Sequence, residues 1–323
     1  ICKSNKTNKS MSNPKLSFII VSWNTSEVTH QCLLSIENAT WRDEYEIIVV
    51  DNNSSDDSVE MIRTKHPQVR LIANADNKLF AKANNQGAKI ARGEYLFLLN
   101  SDTLIWGDNV QRMVEHFDTL PRDVISIGPR VLNADKTLQS TGYPNPGLRE
   151  RFLMCTKLYR LFPIPEFILW GLPQDKSRQV GWNAGCSMMM RSKLYAEVGG
   201  LNERLEFYGE EAEFGYRTYK KFGYKTYYWN GSEIIHLGGV STKKSKKPFN
   251  LRDETPLRRY AKIQRETVGF TRAIWMSRVV LRLLYVKWLV SGNKPYFADA
   301  IKYEKRVIAY LKRCRKDPGI IEG

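Results

Sequence analysis

The feature that most constrains the fold is a run of five apolar residues, 95–99, that leads directly into Asn100-Ser101-Asp102-Thr103. Uninterrupted apolar runs of this length are typical of strands buried on both faces of a parallel sheet. Ligands of open α/β sheets bind at the carboxyl ends of the strands, where these polar side chains would lie. Such an oxygen-rich cluster suits a hard divalent cation that carries phosphates. The other interpretation is a simple turn, for which Asn, Ser and Asp are ordinary residues.

The first half of the chain repeats this alternation of strand and helix, which predicts a parallel, doubly wound sheet. The predicted strands are residues 16–21, 46–50, 69–73, 95–99 and 124–128, and the predicted helices are residues 26–38, 57–65, part of 77–91, and 110–117. Asp51 marks a second acidic strand end. The absence of Gly-x-Gly-x-x-Gly after the first strand disfavours a dinucleotide fold, and the absence of Gly-Lys-Ser/Thr excludes a P-loop.

The second half contains four features with less regular patterns. Residues 130–170 hold four prolines, and so long an irregular connection is typical of a lid or a binding loop. Residues 181–190 predict a strand with a glycine kink. A helix is expected to begin near Glu210, with Glu210 and Glu213 on one face and Glu211 on another, so that one carboxylate faces a cleft while the others stabilise the helix. His236 follows a short apolar run, where a lone histidine is more often a buried structural residue than a ligand.

Taken in order, five separated motifs resemble the inverting nucleotide-sugar glycosyltransferases of family 2. The motifs are Ser22-Trp23-Asn24, Asp51-Asn52-Asn53-Ser54-Ser55-Asp56, the segment 77–87 with Asn84-Asn85-Gln86-Gly87, Asn100-Ser101-Asp102-Thr103, and Tyr208-Gly209-Glu210-Glu211-Ala212-Glu213, with His236 as a sixth. The resemblance covers residues 16–239 and is to bacterial rhamnosyltransferase-like members that build surface polysaccharides. It implies a GT-A fold, which is a Rossmann-like, mixed and mostly parallel α/β sheet flanked by helices.

The resemblance assigns donor binding to residues at the strand ends and in the loops beside them. These residues are Ser22, Asn24, Asp51, Asn53, Asn77, Asn85, Asn100, Ser101 and Trp182. Among them, Asp51 would bind the base or the ribose of the nucleotide. Asp102 resembles the last Asp of the family's Asp-x-Asp motif, which binds Mn²⁺ or Mg²⁺ on the diphosphate, and His236 would approach the same metal.

The same resemblance places the catalytic base at Glu211, with Glu210 as the second candidate. The chain departs from the family pattern twice, because Asn100 replaces the first Asp of Asp-x-Asp and a Glu replaces the Asp of the base. The implied reaction is a single displacement in which the base deprotonates an acceptor hydroxyl as it attacks the anomeric carbon. The expected donor is dTDP-rhamnose or a UDP-hexose, and the expected acceptor is a glycan or a lipid-diphosphate-linked glycan.

The net charge of +16 belongs to the C-terminal quarter of the chain. Residues 243–316 hold 21 Lys and Arg against 5 Asp and Glu, whereas the remaining residues hold 29 of each. A neutral body argues against nucleic-acid binding. The five cysteines include no Cys-x-x-Cys pair, which argues for a reducing compartment, and no apolar run approaches the ~20 residues of a membrane span. These features predict a cytoplasmic location.

Three regions are expected along the chain. Residues 1–14 are predicted to be a disordered arm or a non-native remnant, residues 15–242 the catalytic domain, and residues 243–323 a basic, helical extension. In the predicted helix 271–290, Arg272, Arg278, Arg282 and Lys287 fall in one half, opposite an apolar half, as in helices that lie on anionic membranes. Residues 296–314 predict a second such helix. The other interpretation is that both helices pack on the catalytic body.

The lysine run 243–247 has two interpretations. It is either a solvated loop or a loop that contacts the donor diphosphate.

The chain as a whole is interpreted as an enzyme that works at the inner face of the cytoplasmic membrane. The alternatives are a non-catalytic nucleotide- or glycan-binding domain of the same fold, for which Asn100 is an argument, and a basic nucleic-acid-binding protein.

Overall fold

The structure, a computed structural model, describes residues 13–145, 175–205, 209–238, 255–290, 292 and 295–321. Several predictions fall on other residues. They concern the arm 1–14 apart from its last two residues, the part of the segment 130–170 beyond residue 145, Tyr208 of the acidic motif, the lysine run 243–247, and the domain boundary beside that run. These predictions lie outside the described residues.

Twelve β-strands are present in the described residues. They are β1 (Leu16–Ser22), β2 (Tyr45–Asp51), β3 (Arg70–Ala73), β4 (Tyr95–Asn100), β5 (Thr103–Leu104), β6 (Val124–Leu132), β7 (Leu138–Gln139), β8 (Gly142–Tyr143), β9 (Arg178–Val180), β10 (Trp182–Asn183), β11 (Ser187–Arg191) and β12 (Lys225–His236). Ten of them form one sheet in the order β3-β2-β1-β4-β11-β6-β12-β5, with β7 beside β6 and β9 beside β12, while β8 pairs with β10.

The helices of the described residues alternate with these strands and then continue alone. They are α1 (Ser26–Glu37), α2 (Ser58–Lys65), α3 (Leu79–Ile90), α4 (Asn109–Thr119), α5 (Ser192–Glu197), α6 (Glu210–Arg217), α7 (Thr255–Glu266), α8 (Phe270–Val290) and α9 (Pro295–Lys316). A π-helical turn (Thr218–Phe222) extends α6, and a 3-10 turn (Pro318–Ile321) follows α9.

The long strands are parallel, as their unbroken apolar sequences predict. β1 pairs in parallel with β2 and β4, β2 with β3, and β6 with β12. Every residue of β1 but one is buried, and the main core lies between the sheet and helices α1, α2 and α4. The predicted mixed, mostly parallel sheet flanked by helices, with helices at its C-terminal end, is confirmed.

Some boundaries differ from the prediction. β6 continues four residues beyond the predicted end at residue 128, and the short apolar run before His236 is the end of β12, a strand of 12 residues. The predicted strand 181–190 is divided into β10 and β11, and β11 runs antiparallel to both β4 and β6. Strands β5, β7, β8 and β9 are only two or three residues long, so they contain too few residues to show a periodic pattern.

Helices α7, α8 and α9 form a separate hydrophobic cluster at the C-terminal end of the chain. Ile308 and Leu311, on the apolar side of α9, are buried in this cluster, and Ile301 is buried as well. For α9 the structure therefore corrects the membrane interpretation, because its apolar side packs on protein. Of the helices that the structure describes, none is both long and apolar enough to cross a membrane.

Gly93 permits the close approach of the residues before β4 to β1. A methyl group built on Gly93 would lie 2.6 Å from the backbone nitrogen of Ser17 and 2.8 Å from the carbonyl oxygen of Tyr95. Because backbone atoms cannot move aside, Gly93→Ala should lower the free energy of unfolding by about 1–3 kcal/mol. Lys89→Ala, at an exposed position nearby, should change it by less than about 0.5 kcal/mol. Urea denaturation measures both, and equal stabilities would contradict this packing.

Candidate active site

The carboxyl ends of three parallel strands lie level at one edge of the sheet. Ser22 of β1 pairs with Asp51 of β2, and Val21 of β1 pairs with Asn100 of β4. The sequence predicts the site at this edge, because the polar strand ends of an open α/β sheet converge there.

Buried hydroxyl groups lie beneath this edge. The Ser22 hydroxyl lies 3.2 Å from that of Thr25 and 3.1 Å from that of Thr29, and the Thr25 hydroxyl lies 3.2 Å from that of Ser101. Ser22 is fully buried and Ser101 nearly so. These hydrogen bonds tie β1, α1 and β4 together. The structure thus gives Ser22 and Ser101, two of the predicted donor-binding residues, a structural role.

Asp51 closes a tight turn after β2. Its carboxylate accepts hydrogen bonds from the backbone N–H of Ser54 at 2.9 Å and from the Ser54 hydroxyl at 2.6 Å. The Ser54 hydroxyl oxygen accepts a hydrogen bond from the backbone N–H of Asn24 at 2.8 Å, and Asn24 Oδ1 accepts one from the N–H of Ser55 at 2.7 Å. The turn therefore brings Asp51 and Asn24 together.

Strained backbone surrounds this turn. Asn24, Asn53 and Leu79 have φ angles of +53°, +65° and +63°, a region that is uncommon for residues other than glycine and especially for leucine. The Leu79 N–H donates to Asn77 Oδ1 at 2.9 Å, and its carbonyl accepts from Asn52 Nδ2 at 3.3 Å. Strain of this kind clusters at ligand sites. Asn53 and Asn77 are exposed here, so their side chains are accessible to a ligand.

A two-residue strand brings His236 to Asp102. β5 pairs antiparallel with the end of β12, which sets His236 opposite Thr103. As a result, His236 Nε2 lies 3.1 Å from Asp102 Oδ1 and 3.3 Å from Asn100 Nδ2. The three residues to which the resemblance assigns the diphosphate and its metal are therefore neighbours.

Gln139 on β7 orients the ring of His236. Gln139 Oε1 lies 2.9 Å from His236 Nδ1, so that Nδ1 carries the proton and donates it, and the lone pair of Nε2 faces Asp102. A lone pair and a carboxylate oxygen at 3.1 Å repel each other unless a proton or a metal cation lies between them. Metal-binding histidines commonly donate their second N–H in this way. The residues present therefore fit a divalent cation.

The protein would supply only part of the ligands of such a cation. Within the residues that the structure describes, no group of three or more His, Cys, Asp or Glu side chains could hold a metal ion. Asp102 and His236 provide two ligands and leave the other positions open. This ligand set suits Mg²⁺ or Mn²⁺ shared with phosphate oxygens, because such ions are often bound by one or two carboxylates plus substrate.

The second half of the site is Glu211, in the first turn of α6. The backbone N–H of Gly185 donates to Glu211 Oε1 at 3.0 Å, and a methyl group on Gly185 would lie 2.2 Å from that oxygen. Burial raises the pKa of Glu211 above its ordinary value of 4.5, although backbone hydrogen bonds partly oppose the increase. A raised pKa brings a carboxylate closer to the value that is best for a general base near neutral pH.

Cys186 connects the two halves of the site. Its carbonyl accepts a hydrogen bond from the N–H of Asn100 at 3.0 Å, while the preceding residue, Gly185, binds Glu211. Burial raises the pKa of the Cys186 thiol to about 12, and the carboxylates of Glu211 and Asp102 add to this increase. Both carboxylates therefore lie near one buried, protonated thiol.

The structure distinguishes the three glutamates of α6. Glu213 is buried and forms an ion pair with Arg217 at 2.7 Å, and Arg217 also donates to the carbonyl of Gly200 at 2.6 Å. Glu210 is only 1% exposed, whereas Glu211 is half-buried. Since a general base must reach a substrate, the geometry favours Glu211 over Glu210.

Asn85 has a different position from the one that the resemblance implies. Its Oδ1 accepts hydrogen bonds from the Tyr195 hydroxyl at 2.5 Å and from the Leu201 N–H at 3.0 Å. Its Nδ2 donates to the Leu201 carbonyl at 2.9 Å and to Glu203 at 3.0 Å. These four bonds use the full capacity of the amide. Asn85 therefore fixes the turn at residues 199–203, and the structure replaces the predicted donor contact with this role.

Trp182 belongs to the half of the site that contains Glu211. Its ring stacks on that of Tyr143 with the centroids 4.4 Å apart. Burial raises the pKa of Tyr143, and the charge of Glu211 contributes to the increase, so the aromatic pair lies near the Glu211 carboxylate. A flat aromatic surface is a suitable contact for a sugar ring.

Comparison with known proteins identifies the family of this chain. A family model described as Glycosyl transferase family 2 matches residues 17–194, which is more than half of the chain. The chain belongs to glycosyl transferase family 2. The match contains the strand ends with Asp51 and Asp102, whereas Glu211 and His236 lie beyond it.

Individual relatives of this glycosyl transferase are distant. The chondroitin synthase of Escherichia coli is 26% identical over 193 residues, which cover 58% of this chain and 27% of the relative. The N-acetylglucosaminyl-diphospho-decaprenol L-rhamnosyltransferase of Mycobacterium tuberculosis is 23% identical over 243 residues, which cover 70% of this chain and 77% of the relative. The chain thus spans only about a quarter of the length of the chondroitin synthase.

A solved structure supports the fold assignment. The crystal structure of GalNAc-T7 with UDP, GalNAc and Mn²⁺ superposes with a TM-score of 0.57 at 17% sequence identity, over 78% of this chain and 48% of that chain. The likeness extends beyond the matched family segment and confirms the predicted GT-A fold.

The raised pKa of Glu211 predicts how its substitution changes stability. Above about pH 4.5 the unfolded chain ionises this carboxyl while the folded protein resists ionisation, so wild-type stability falls as the pH rises towards the folded pKa. Glu211→Gln lacks this loss. The variant should therefore be more stable than the wild type at about pH 8, and the difference should shrink towards about pH 4. Urea denaturation across this range measures it, and a difference that grows on acidification would contradict the buried environment.

Proposed function

We propose that this family 2 glycosyl transferase moves a sugar from a nucleotide-sugar donor onto a hydroxyl of a glycan or lipid-linked acceptor in polysaccharide synthesis. The proposal rests mainly on one observation: two different carboxylate sites lie on either side of residues 185 and 186. Asp102 and His236 lie on one side, and Glu211 lies on the other. A diphosphate and an acceptor hydroxyl need such separate sites.

On the donor side, the turn after β2 would hold the nucleoside. Asp51 and Asn24 line it, and Asn53 and Asn77 are exposed beside it. Asn100, Asp102 and His236 would face the diphosphate. A diphosphate next to the Asp102 carboxylate is repelled unless a cation lies between them, which supports Mn²⁺ or Mg²⁺ at Asp102 and His236. When bound, such a cation neutralises charge on the leaving nucleoside diphosphate.

On the acceptor side, Glu211 would remove the proton from the attacking hydroxyl. The new bond forms between that oxygen and the anomeric carbon as the bond from this carbon to the diphosphate oxygen breaks, and the nucleoside diphosphate leaves. One carboxylate suffices for this single displacement, whereas a double displacement needs a second one as nucleophile. The outcome is inversion at the anomeric carbon.

The names of two similar proteins support the proposed donor and acceptor classes. The mycobacterial relative is by its name a rhamnosyltransferase that acts on a diphospho-decaprenol, and the solved neighbour contains UDP. We therefore propose dTDP-rhamnose or a UDP-hexose as donor and a lipid-diphosphate-linked glycan as one acceptor class. Such an acceptor would place the enzyme at the inner face of the cytoplasmic membrane.

A thermal-shift screen with UDP, dTDP and GDP, with and without Mn²⁺, tests the donor proposal. A nucleotide at about 100 times its dissociation constant should stabilise the protein by about 2.7 kcal/mol, and Mn²⁺ should increase the shift. Because Gln139 orients the ring of His236 through a hydrogen bond, Gln139→Met should lower the affinity for Mn²⁺ about 10- to 100-fold. Gln139→Glu, which keeps an acceptor for the ring N–H, is the matched control. No response to any nucleotide would contradict the proposal.

Turnover of Glu211→Gln tests the catalytic role. The variant should lose a factor of about 10² or more in kcat with little change in donor binding, because a glutamine cannot accept the proton. Glu210→Gln is the comparison. If Glu210→Gln rather than Glu211→Gln abolishes transfer, the base is misassigned. Donor binding by the wild type without transfer to any acceptor would favour the non-catalytic alternative.

A further inference from the structure

Helix α8 exposes one stripe that contains both apolar and cationic residues. Trp275, Arg278, Arg282, Val286 and Leu289 follow one another at intervals of three or four, which places them on one side of a helix. Trp275 and Val286 are each 57% exposed and Leu289 is 65% exposed. Large apolar side chains exposed in a contiguous row mark an interaction surface.

The opposite side of α8 is already occupied. Ala273, Ile274, Met276 and Val280 are buried, and the first two belong to the cluster formed with α7 and α9. This arrangement corrects the sequence prediction, in which the cations lie opposite the apolar half of the helix. Instead, Arg278 and Arg282 share the exposed side with Trp275 and Val286, because the rest of the apolar surface packs on protein.

The stripe carries only positive charge. Helix α8 contains no acidic residue, and Arg278 and Arg282 form no ion pair in the part of the chain that the structure describes. Exposed cations continue onto the neighbouring helix α9, where Lys305 lies 5.4 Å from the ring of Tyr285 on α8. A partner must therefore offer negative charge and an apolar interior together.

We propose that this stripe is a docking surface for an anionic lipid bilayer. In such a complex the two arginines contact lipid headgroups, while Trp275, Val286 and Leu289 enter the boundary of the acyl chains. Apolar residues near the end of the helix are exposed, among them Val290, which is 84% exposed. A nucleic-acid backbone offers no apolar surface for them to contact. The proposal does not depend on the transferase activity.

A second copy of the chain is a poorer occupant of the stripe. Arg278 and Arg282 lie near the middle of the stripe and flank the middle of helix α8. Two stripes packed antiparallel about a two-fold axis would place these arginines of one copy against those of the other, and like charges in contact are destabilising. An anionic bilayer satisfies both the charge and the apolar residues.

Sedimentation of the full chain with vesicles of phosphatidylglycerol or phosphatidylcholine tests the proposal. The wild type should bind phosphatidylglycerol and not phosphatidylcholine. Arg278→Gln with Arg282→Gln should weaken binding about 30-fold, since each cation near an anionic surface contributes about fivefold. Val286→Ser with Leu289→Ser should weaken it at least about tenfold through lost apolar burial. Arg278→Lys with Arg282→Lys should bind as the wild type does.

Two matched controls remove the same groups elsewhere. Arg63→Gln with Lys65→Gln, on an exposed part of α2, and Leu34→Ser, on α1, should leave vesicle binding unchanged, and thermal melting should show that every variant is folded. The proposal is overturned if the wild type stays in the supernatant or the stripe variants bind normally. It is also overturned if RNA binds and vesicles do not, or if the stripe variants convert a dimer into a monomer without affecting vesicles.

Discussion

The pair of hydrogen bonds made by Gly185 and Cys186 holds the two halves of the candidate site in one geometry. The N–H of Gly185 fixes the Glu211 carboxylate, and the carbonyl of Cys186 fixes the N–H of Asn100 at the end of β4. These two bonds link a helix that begins at residue 210 to a strand that ends at residue 100. A single displacement needs the base and the leaving group on opposite sides of one carbon, so their relative placement is the main requirement.

The C-terminal helices contribute to the same placement. Gly209, at φ +108°, begins α6, and a methyl group on it would lie 2.3 Å from Cδ1 of Ile263 on α7. Helix α7 thus packs directly on the start of the helix that carries Glu211. The basic C-terminal region, which composition alone presents as an appendage, therefore packs on the helix that carries Glu211 and also exposes the cationic stripe of α8.

Sequence patterns predict the long elements well, since uninterrupted apolar runs mark the strands that end at Asp51 and just before Asp102. They do not predict the contacts made by short strands, because two residues of β5 carry no periodic signal, yet β5 sets His236 beside Asp102. Gln139 lies in a polar stretch without any pattern, whereas Gly185 falls within the expected glycine kink. The predicted faces of α8 are wrong, because apolar residues occur on every side of this helix and its sequence does not reveal which of them the neighbouring helices will cover.

We propose that one edge of the sheet holds the donor diphosphate on a metal ion bound by Asp102 and His236, with Glu211 on the acceptor side. Anomalous diffraction from crystals grown with Mn²⁺ and the nucleotide that gives the largest thermal shift tests it most directly. One manganese peak should lie in contact with the Asp102 carboxylate, His236 Nε2 and the diphosphate, with the nucleoside in the turn at Asp51. A nucleotide bound elsewhere, or bound at this edge with a manganese peak remote from Asp102 and His236, would contradict it.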